Sequence, residues 1–254
     1  LIGNRGVPLT LALACGLIVV PTTAGAAIGL QPYSVTYAVT ATAKGKTLVT
    51  ARWRDTLDVI AVAGKQAYRR TQVSLQSNGV SRTWVSVFDP EAFSPIADTF
   101  STSDGDIFAR VFAGSRVTDY ASNGSNRGIL TSSTTVLPSN YSDFNGGQFG
   151  LALLELPLTP HYQTTLTTFG TTDTTVQSVP IEVLRTETLS LGSCSFDAVV
   201  VRATFSAKYY PDEGDNYMTF WLTKRRPYVV QLIADAPRSG LTVTYRLDDK
   251  SHAC

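Results

Sequence analysis

Histidine is nearly absent from this chain. Only His161 and His252 occur in 254 residues, and His252 stands third from the end, where backbone is usually loose. His161 lies between Pro160 and Tyr162 with no acidic or nucleophilic neighbour. Acid–base and nucleophilic catalysis near neutral pH draw mostly on histidine. His161 is therefore read as a polar residue at a bend, and no catalytic residue is assigned. Cysteine is scarce too: Cys15, Cys194 and Cys254 are the only three. Two scattered histidines and so few thiols do not give the ligand spacing of a zinc site, so no metal is expected. A Gly-x-Ser-x-Gly elbow is missing. Asn145-Gly146-Gly147 lacks the Lys-Ser/Thr of a nucleotide loop. Ser193 and Ser195 flank Cys194 in a segment that reads as a hairpin connection. No cofactor is expected.

Charge is thin. Charged residues make up 16%, against about 25% in an average soluble protein. The net charge of +1 leaves no basic surplus for phosphates, which argues against nucleic-acid binding. The one basic run, Lys224-Arg225-Arg226, stops at Pro227 and reads as a solvated hairpin turn. The acidic clusters Asp104/Asp106 and Asp212/Glu213/Asp215 lack a full calcium-loop pattern and read as solvated turns. A hydrolase built on two carboxylates stays open, because sequence does not show the separation that such a pair requires.

Long apolar runs are also lacking. The longest, Val7 to Val20, has 14 residues, against about 20 for a membrane-spanning helix. No later stretch qualifies, so no transmembrane segment is expected. Arg5 precedes the run, Pro21 breaks it, and Ala24-Gly25-Ala26 gives a small-x-small site. This is the layout of a secretory signal peptide. Cleavage after Ala26 would leave residues 27–254 as a single β domain, periplasmic or secreted. A lipoprotein cut before Cys15 is the alternative; Leu17 to Val20 continue the apolar run against it. Cys194 and Cys254 remain in the mature chain, and an even count in an oxidising compartment suits one disulfide. Closing that loop would contribute about 4 kcal/mol. Two unpaired thiols are the other option.

What is present is strand after strand. Tyr33, Val35, Tyr37 and Val39 alternate with Ser34, Thr36, Ala38 and Thr40, the period of a half-buried strand. Similar runs cover 48–59, 68–75, 81–88, 96–101, 107–112, 117–120, 129–136, 162–169, 176–191, 196–208, 217–223, 228–234 and 241–247. Asn78-Gly79 is a strong hairpin signal before Ser81. Only QFGLALLEL, ended by Pro157, reads as a helix, of eight to ten residues. About a dozen strands without alternating helices predict an all-β antiparallel meander. No fixed-period repeat supports a propeller or solenoid.

YMTFWLT, 217–223, and YVVQLI, 228–233, carry large apolar groups on both faces. Strands of this kind are covered on both sides. The cover could be the helix and a second sheet, or a ligand in an apolar pocket. Met218, Phe220, Trp221, Leu222, Val230 and Leu232 are the pocket candidates.

Four segments carry a resemblance: FDPEAFSPI (88–96), LELPLTPHYQTTL (154–166), ETLSLGSCSFDAVVVRATF (187–205) and YMTFWLTKRRPYVVQLI (217–233). In this order they resemble a domain-of-unknown-function family of exported bacterial all-β proteins. The architecture is distantly similar to the half-barrel lipoprotein carriers of the envelope. The resemblance implies an envelope location and a large curved antiparallel sheet, half-barrel or β-sandwich-like, with one short helix against its concave face. It brings no catalytic residues. Cys194 stands where a small residue is commoner, consistent with a disulfide to Cys254, and His161 stands where Gly is commoner. The expectation is an exported, non-enzymatic module that binds a lipid or lipoprotein. The alternatives are a structural or protein-interaction module and a carboxylate hydrolase.

Overall fold

The computed structural model describes residues 29–122, 131–137, 148–169, 176–207 and 214–248. The expected signal peptide, Cys15, Asp212, Glu213, His252 and Cys254 lie outside these residues, as do the ends of two expected strands, 129–130 and Lys208.

Alternation along the chain sets the architecture. The first meander contains β1 (Tyr33–Ala43), β2 (Lys46–Val62), β3 (Lys65–Gln76), β4 (Ser81–Phe88), β5 (Pro95–Thr102), β6 (Ile107–Ala113), β7 (Arg116–Ser122) and β8 (Thr131–Val136). The second contains β9 (Gln163–Phe169), β10 (Val176–Leu191), β11 (Cys194–Phe205), β12 (Asn216–Leu222), β13 (Val229–Ala236) and β14 (Leu241–Leu247). Within each meander every strand pairs antiparallel with its chain neighbour, and two-residue turns at 44–45, 63–64, 114–115 and 192–193 join four of these pairs. At Asn78-Gly79 the glycine takes a φ of 85°, its N–H donates to Gln76 O (3.0 Å), and Val80 N–H donates to Asn78 Oδ1 (3.0 Å). Asn-Gly suits such a turn because glycine accepts positive φ without a Cβ clash.

The two meanders join through the ends of the chain. β1 pairs with β14, Tyr37 opposite Leu247 and Ala43 opposite Leu241. One sheet of fourteen strands results, in the order β8-β7-β6-β5-β4-β3-β2-β1-β14-β13-β12-β11-β10-β9. Its edges are therefore mid-chain strands. The sheet curls until those edges approach, but it does not close: β8 and β9 are not hydrogen-bonded neighbours in the strand order. Side chains bridge the gap instead. The Arg110 guanidinium of β6 lies 4.3 Å from the ring centre of Phe169 on β9, and Phe112 meets the same ring edge-on.

A helix plugs the curl. α1 (Phe149–Ala152) runs into a 3-10 turn, Leu153–Glu155. With Gln148 in 3-10 geometry ahead of α1, the helical stretch covers 148–155, the lower end of the expected eight to ten residues, and only its middle turn is α-helical. Gln148 makes no side-chain cap and the first turn of α1 has no acid, so little supports a longer helix. Leu156, before Pro157, is already extended, as the proline ring demands of its predecessor. Every residue of α1 is buried, as expected of a helix apolar all round.

The main core forms around this plug. Leu57, Tyr68, Phe88 and Phe93 meet it from the first meander, and Ile181, Val201, Phe220 and Leu222 from the second. A second cluster holds Trp221 and Val230 with Val35, Tyr37, Val39, Leu191 and Val200. The doubly apolar hairpin is thus covered on both faces, by the plug on one and by this cluster on the other.

Candidate functional site

The plug does not fill the curl. It leaves a cavity of about 490 Å³. Its inner end is formed by buried residues: Tyr37, Asp55, Arg70, Phe149, Gly150, Phe220 and Val229. Its outer end is formed by half-buried ones: Trp53, Gln72, Trp84, Tyr217, Met218, Leu232, Asp235 and Tyr245. Its lining comes from β1–β4, from β12–β14 and from α1 with β9–β11 (Phe149, Thr168, Phe169, Gln177 and Phe205), so the cavity lies inside the curl that the β1–β14 pairing makes continuous.

Register explains the aromatic wall. Trp53 lies opposite Tyr37, and Trp84 lies opposite Gln72, all facing inward by strand alternation. The Trp53 and Trp84 rings stack with centres 6.4 Å apart. Tyr245 meets Trp53 edge-on at 5.3 Å, a favoured geometry for ring quadrupoles.

One ion pair is set into this wall. Asp55, with 0% exposure, accepts hydrogen bonds from Arg70 Nε (2.9 Å) and Nη2 (2.5 Å). The Tyr33 hydroxyl also donates to it (3.2 Å). Burial works against the Arg70 charge, but Asp55 and Tyr33 outweigh it and hold the guanidinium above its ordinary value. Burial pushes the Tyr37 hydroxyl well above the usual phenol range, with the Asp55 charge adding to it. That hydroxyl donates to Val229 O (2.6 Å). The charges of Asp55 and Arg70 thus cancel, and these two and the Tyr37 hydroxyl are hydrogen-bonded within the wall.

A second pocket of about 350 Å³ is lined by Arg202, Tyr217, Thr219, Asp235, Leu241 and Thr242 among others; the register of β11–β14 puts Arg202, Thr219, Asp235 and Thr242 on the face of the sheet opposite to Met218, Phe220 and Leu232. Tyr217, Asp235 and Leu241 belong to both spaces. Arg202 Nη2 bonds to Glu182 Oε2 at 2.6 Å. Asp235 Oδ1 accepts a hydrogen bond from Thr242 Oγ1 (2.7 Å) and meets no cation among the described residues.

Three of the six pocket candidates, Met218, Phe220 and Leu232, line the cavity. Leu222 shares their face but lies in the core by the plug. Trp221 points to the opposite face and packs in the second cluster. Val230 follows it there, because the β12–β13 pairing slips between Trp221 and Leu222 and leaves Val230 as the extra residue. Cys194 is buried. His161 is exposed, holds a φ of 70°, and donates its backbone N–H to Val183 O (2.7 Å). It marks a bend, as the sequence implies. Lys224, Arg225 and Arg226 are exposed in their turn.

Sequence reading missed the other wall: Tyr37, Trp53, Asp55, Arg70, Trp84 and Tyr245. A signal was there. Asp55 sits at the inward parity of β2, between Trp53 and Leu57, and Arg70 at the inward parity of β3, two residues after Tyr68. Charges at inward positions of two neighbouring strands mark either a buried pair or a site.

No curated protein matches the chain. Among solved structures, it is similar to a β-barrel-like protein of domain of unknown function DUF1849 from Brucella abortus, at 12% identity and a TM-score of 0.56, covering 87% of this chain and 97% of that one. A protein from Bacteroides fragilis, described as exported and of YmcC-like fold, aligns at 11% identity and a TM-score of 0.37, covering 86% and 95%. The first likeness supports the barrel-like fold and nothing beyond it. The family described as "Protein of unknown function (DUF3108)" matches residues 32–239, most of the length of the chain. The chain belongs to that DUF3108 family.

Proposed function

We propose that this protein is an exported, non-enzymatic envelope protein that binds an apolar or lipid-like molecule in the cavity between plug and sheet. The observation that carries this reading is the cavity itself. Its volume falls within the range of small-molecule sites, about 300–1,000 Å³, and its lining is dominated by aromatic and aliphatic side chains. The Asp55–Arg70 pair and the Tyr37 hydroxyl are already hydrogen-bonded within the wall, so an apolar guest strands none of these three. Export rests on the leader pattern of residues 1–26. In an oxidising compartment, Cys194 and Cys254 would pair. Intact mass after alkylation, with and without reductant, reads that pairing directly, and two alkylated thiols without reductant exclude it.

The test of binding is native mass spectrometry of delipidated protein incubated with bacterial phospholipids, their single-chain derivatives and free fatty acids. One retained molecule per chain is expected. Protein that retains none of these overturns the proposal. The rival interaction-module reading has less behind it. The exposed Val73 and Leu75 of β3 lie opposite Arg54 and Arg52, so charge interrupts the apolar surface there.

A further inference from the structure

Charge at the open end of the cavity bears on what its occupant carries. Phe88, the last residue of β4, packs against the plug, so the start of that strand lies at the end away from it. Arg82 stands there, two residues before Trp84, and β4 pairs with β3 without a register shift. The two side chains therefore share a face, and Trp84 lines the cavity. Arg82 is exposed. It forms no ion pair among the described residues, Asp104 and Asp106 of the turn after β5 included. Its charge reaches Tyr245 on β14. Burial pushes the Tyr245 hydroxyl up, and Arg82 acts against that.

Trp53 links the two sides, stacked on Trp84 and edge-on to Tyr245. The opening thus gathers polar hydrogens. A guanidinium and two indoles donate and do not accept, and a tyrosine hydroxyl donates as well. None of these four side chains is hydrogen-bonded to another described residue. The carboxylates on either side are elsewhere engaged or turned away. Asp55, deeper on β2, is held by Arg70, and register puts Asp235 on the opposite face of the sheet.

We infer that the cavity takes an amphiphile with an anionic head, a carboxylate or a phosphate. Arg82 and the Tyr245 hydroxyl bind that head at the opening, and the apolar body lies along Trp53, Phe220 and Leu232. This rests on the lipid-binding reading above and adds the charge of the ligand.

The experiment titrates the delipidated full chain with four twelve-carbon amphiphiles below their micelle concentrations: dodecanoate, dodecyl phosphate, dodecanol and dodecyltrimethylammonium. Native mass spectrometry counts the bound molecules, and tryptophan fluorescence reads the affinity. Both anions are expected to bind about tenfold more tightly than dodecanol or better, the worth of one hydrogen bond to a charged group. The cation should bind no better than dodecanol. The tighter anion names the head group. Arg82→Gln should bring both anions within about threefold of dodecanol and leave dodecanol unchanged. Arg246→Gln, next to Tyr245 but on the other face, should leave all four as they were. Should Arg82→Gln unfold, Tyr245→Phe carries the test, weakening both anions by about threefold. Dodecanol or the cation bound as tightly as the anions overturns the anionic head and leaves the lipid-binding reading standing. An anion preference kept in Arg82→Gln, or in its replacement, overturns the assignment of the head to this opening. If nothing binds, both readings fall.

Discussion

A carboxylate with no exposure has to be explained residue by residue. Asp55 accepts the forked hydrogen bonds of the Arg70 guanidinium. A buried ion pair of this kind is weak evidence of stability, yet breaking it is costly, because the survivor is left uncompensated. Asp55→Asn is expected to lower the unfolding free energy by about 3–5 kcal/mol. The double change Asp55→Leu with Arg70→Met should recover most of that loss. Urea unfolding of the three variants checks it, and a double variant no better than the single would show that the pair has an indispensable structural role. Glu187 illustrates a milder case. Hydrogen bonds from Arg185 (2.7 Å) and then from the Trp221 indole hold its carboxyl below the usual range. Its folded pKa is below its unfolded one. Its stabilising contribution is therefore complete above about pH 4.3, and fades as pH falls through the folded value. The Trp221 indole N–H resonance should shift in acid with a midpoint below about 4.3, and Glu187→Gln should remove that transition. His161 is the quietest of these residues. Its φ of 70° lies in the left-handed region that favours glycine, so what the position asks for is backbone conformation. Phe93 shares this conformation, at 54°. Asp89 fixes its turn by accepting hydrogen bonds from the backbone of Glu91 and Ala92, so that the ring reaches the core against Tyr68 and Phe88. The D-P-x-x-φ-x-P motif is thus a device for packing one aromatic.

Among the elements, the plug is the one whose fit can be tested most sharply. A Cβ on Gly150 would sit 3.0 Å from Phe220 Cε1, closer than van der Waals contact allows. Gly150→Ala should therefore cost about 1–3 kcal/mol by overpacking, or displace Phe220 into the cavity. A crystal structure together with a melting curve distinguishes these outcomes; an unchanged melting temperature with Phe220 in place would contradict the packing described. The strands were the most legible feature of the sequence. β4 and β14 match their expected limits to the residue, because alternation with clear turns is a local property. Where β10 and β12 slip register against their partners, the residue pattern gives no warning, since a bulge is defined by two strands and not one. The helix was legible because QFGLALLEL has good helix formers throughout; that only Phe149–Ala152 is α-helical and its flanks are 3-10 reflects the missing cap and the reach of Pro157, which act at the ends. The cavity was half legible. Met218, Phe220 and Leu232 share one hairpin and announce themselves together. Trp53, Asp55 and Arg70 join them only through the β1–β14 pairing, which links the far ends of the chain and leaves no local trace.

Taken whole, the molecule is an incomplete cylinder whose seam is held by side chains. Arg110, 1% exposed, bonds Asp119 Oδ1 through Nε at 2.6 Å and lies over Phe169 across the seam. Removing that ring, Phe169→Ala, should cost about 3–5 kcal/mol and open the seam first. Hydrogen exchange is the measure. Amides of β8 and β9 should exchange faster, while those of β1 and β14 keep their protection; uniform acceleration would mean that the seam and the sheet unfold as one. The β1–β14 pairing itself has a consequence in time. A polypeptide leaves the ribosome N-terminus first, yet Tyr37 finds its neighbour only when Leu247 has emerged. Until then β1 presents an unzipped flank, open to strand-to-strand aggregation, and the cavity lacks the wall that β12–β14 supply. A chaperone that shields this flank would have to remain bound until synthesis is nearly finished, and a ribosome stalled short of β14 would release a protein with no chamber to fill.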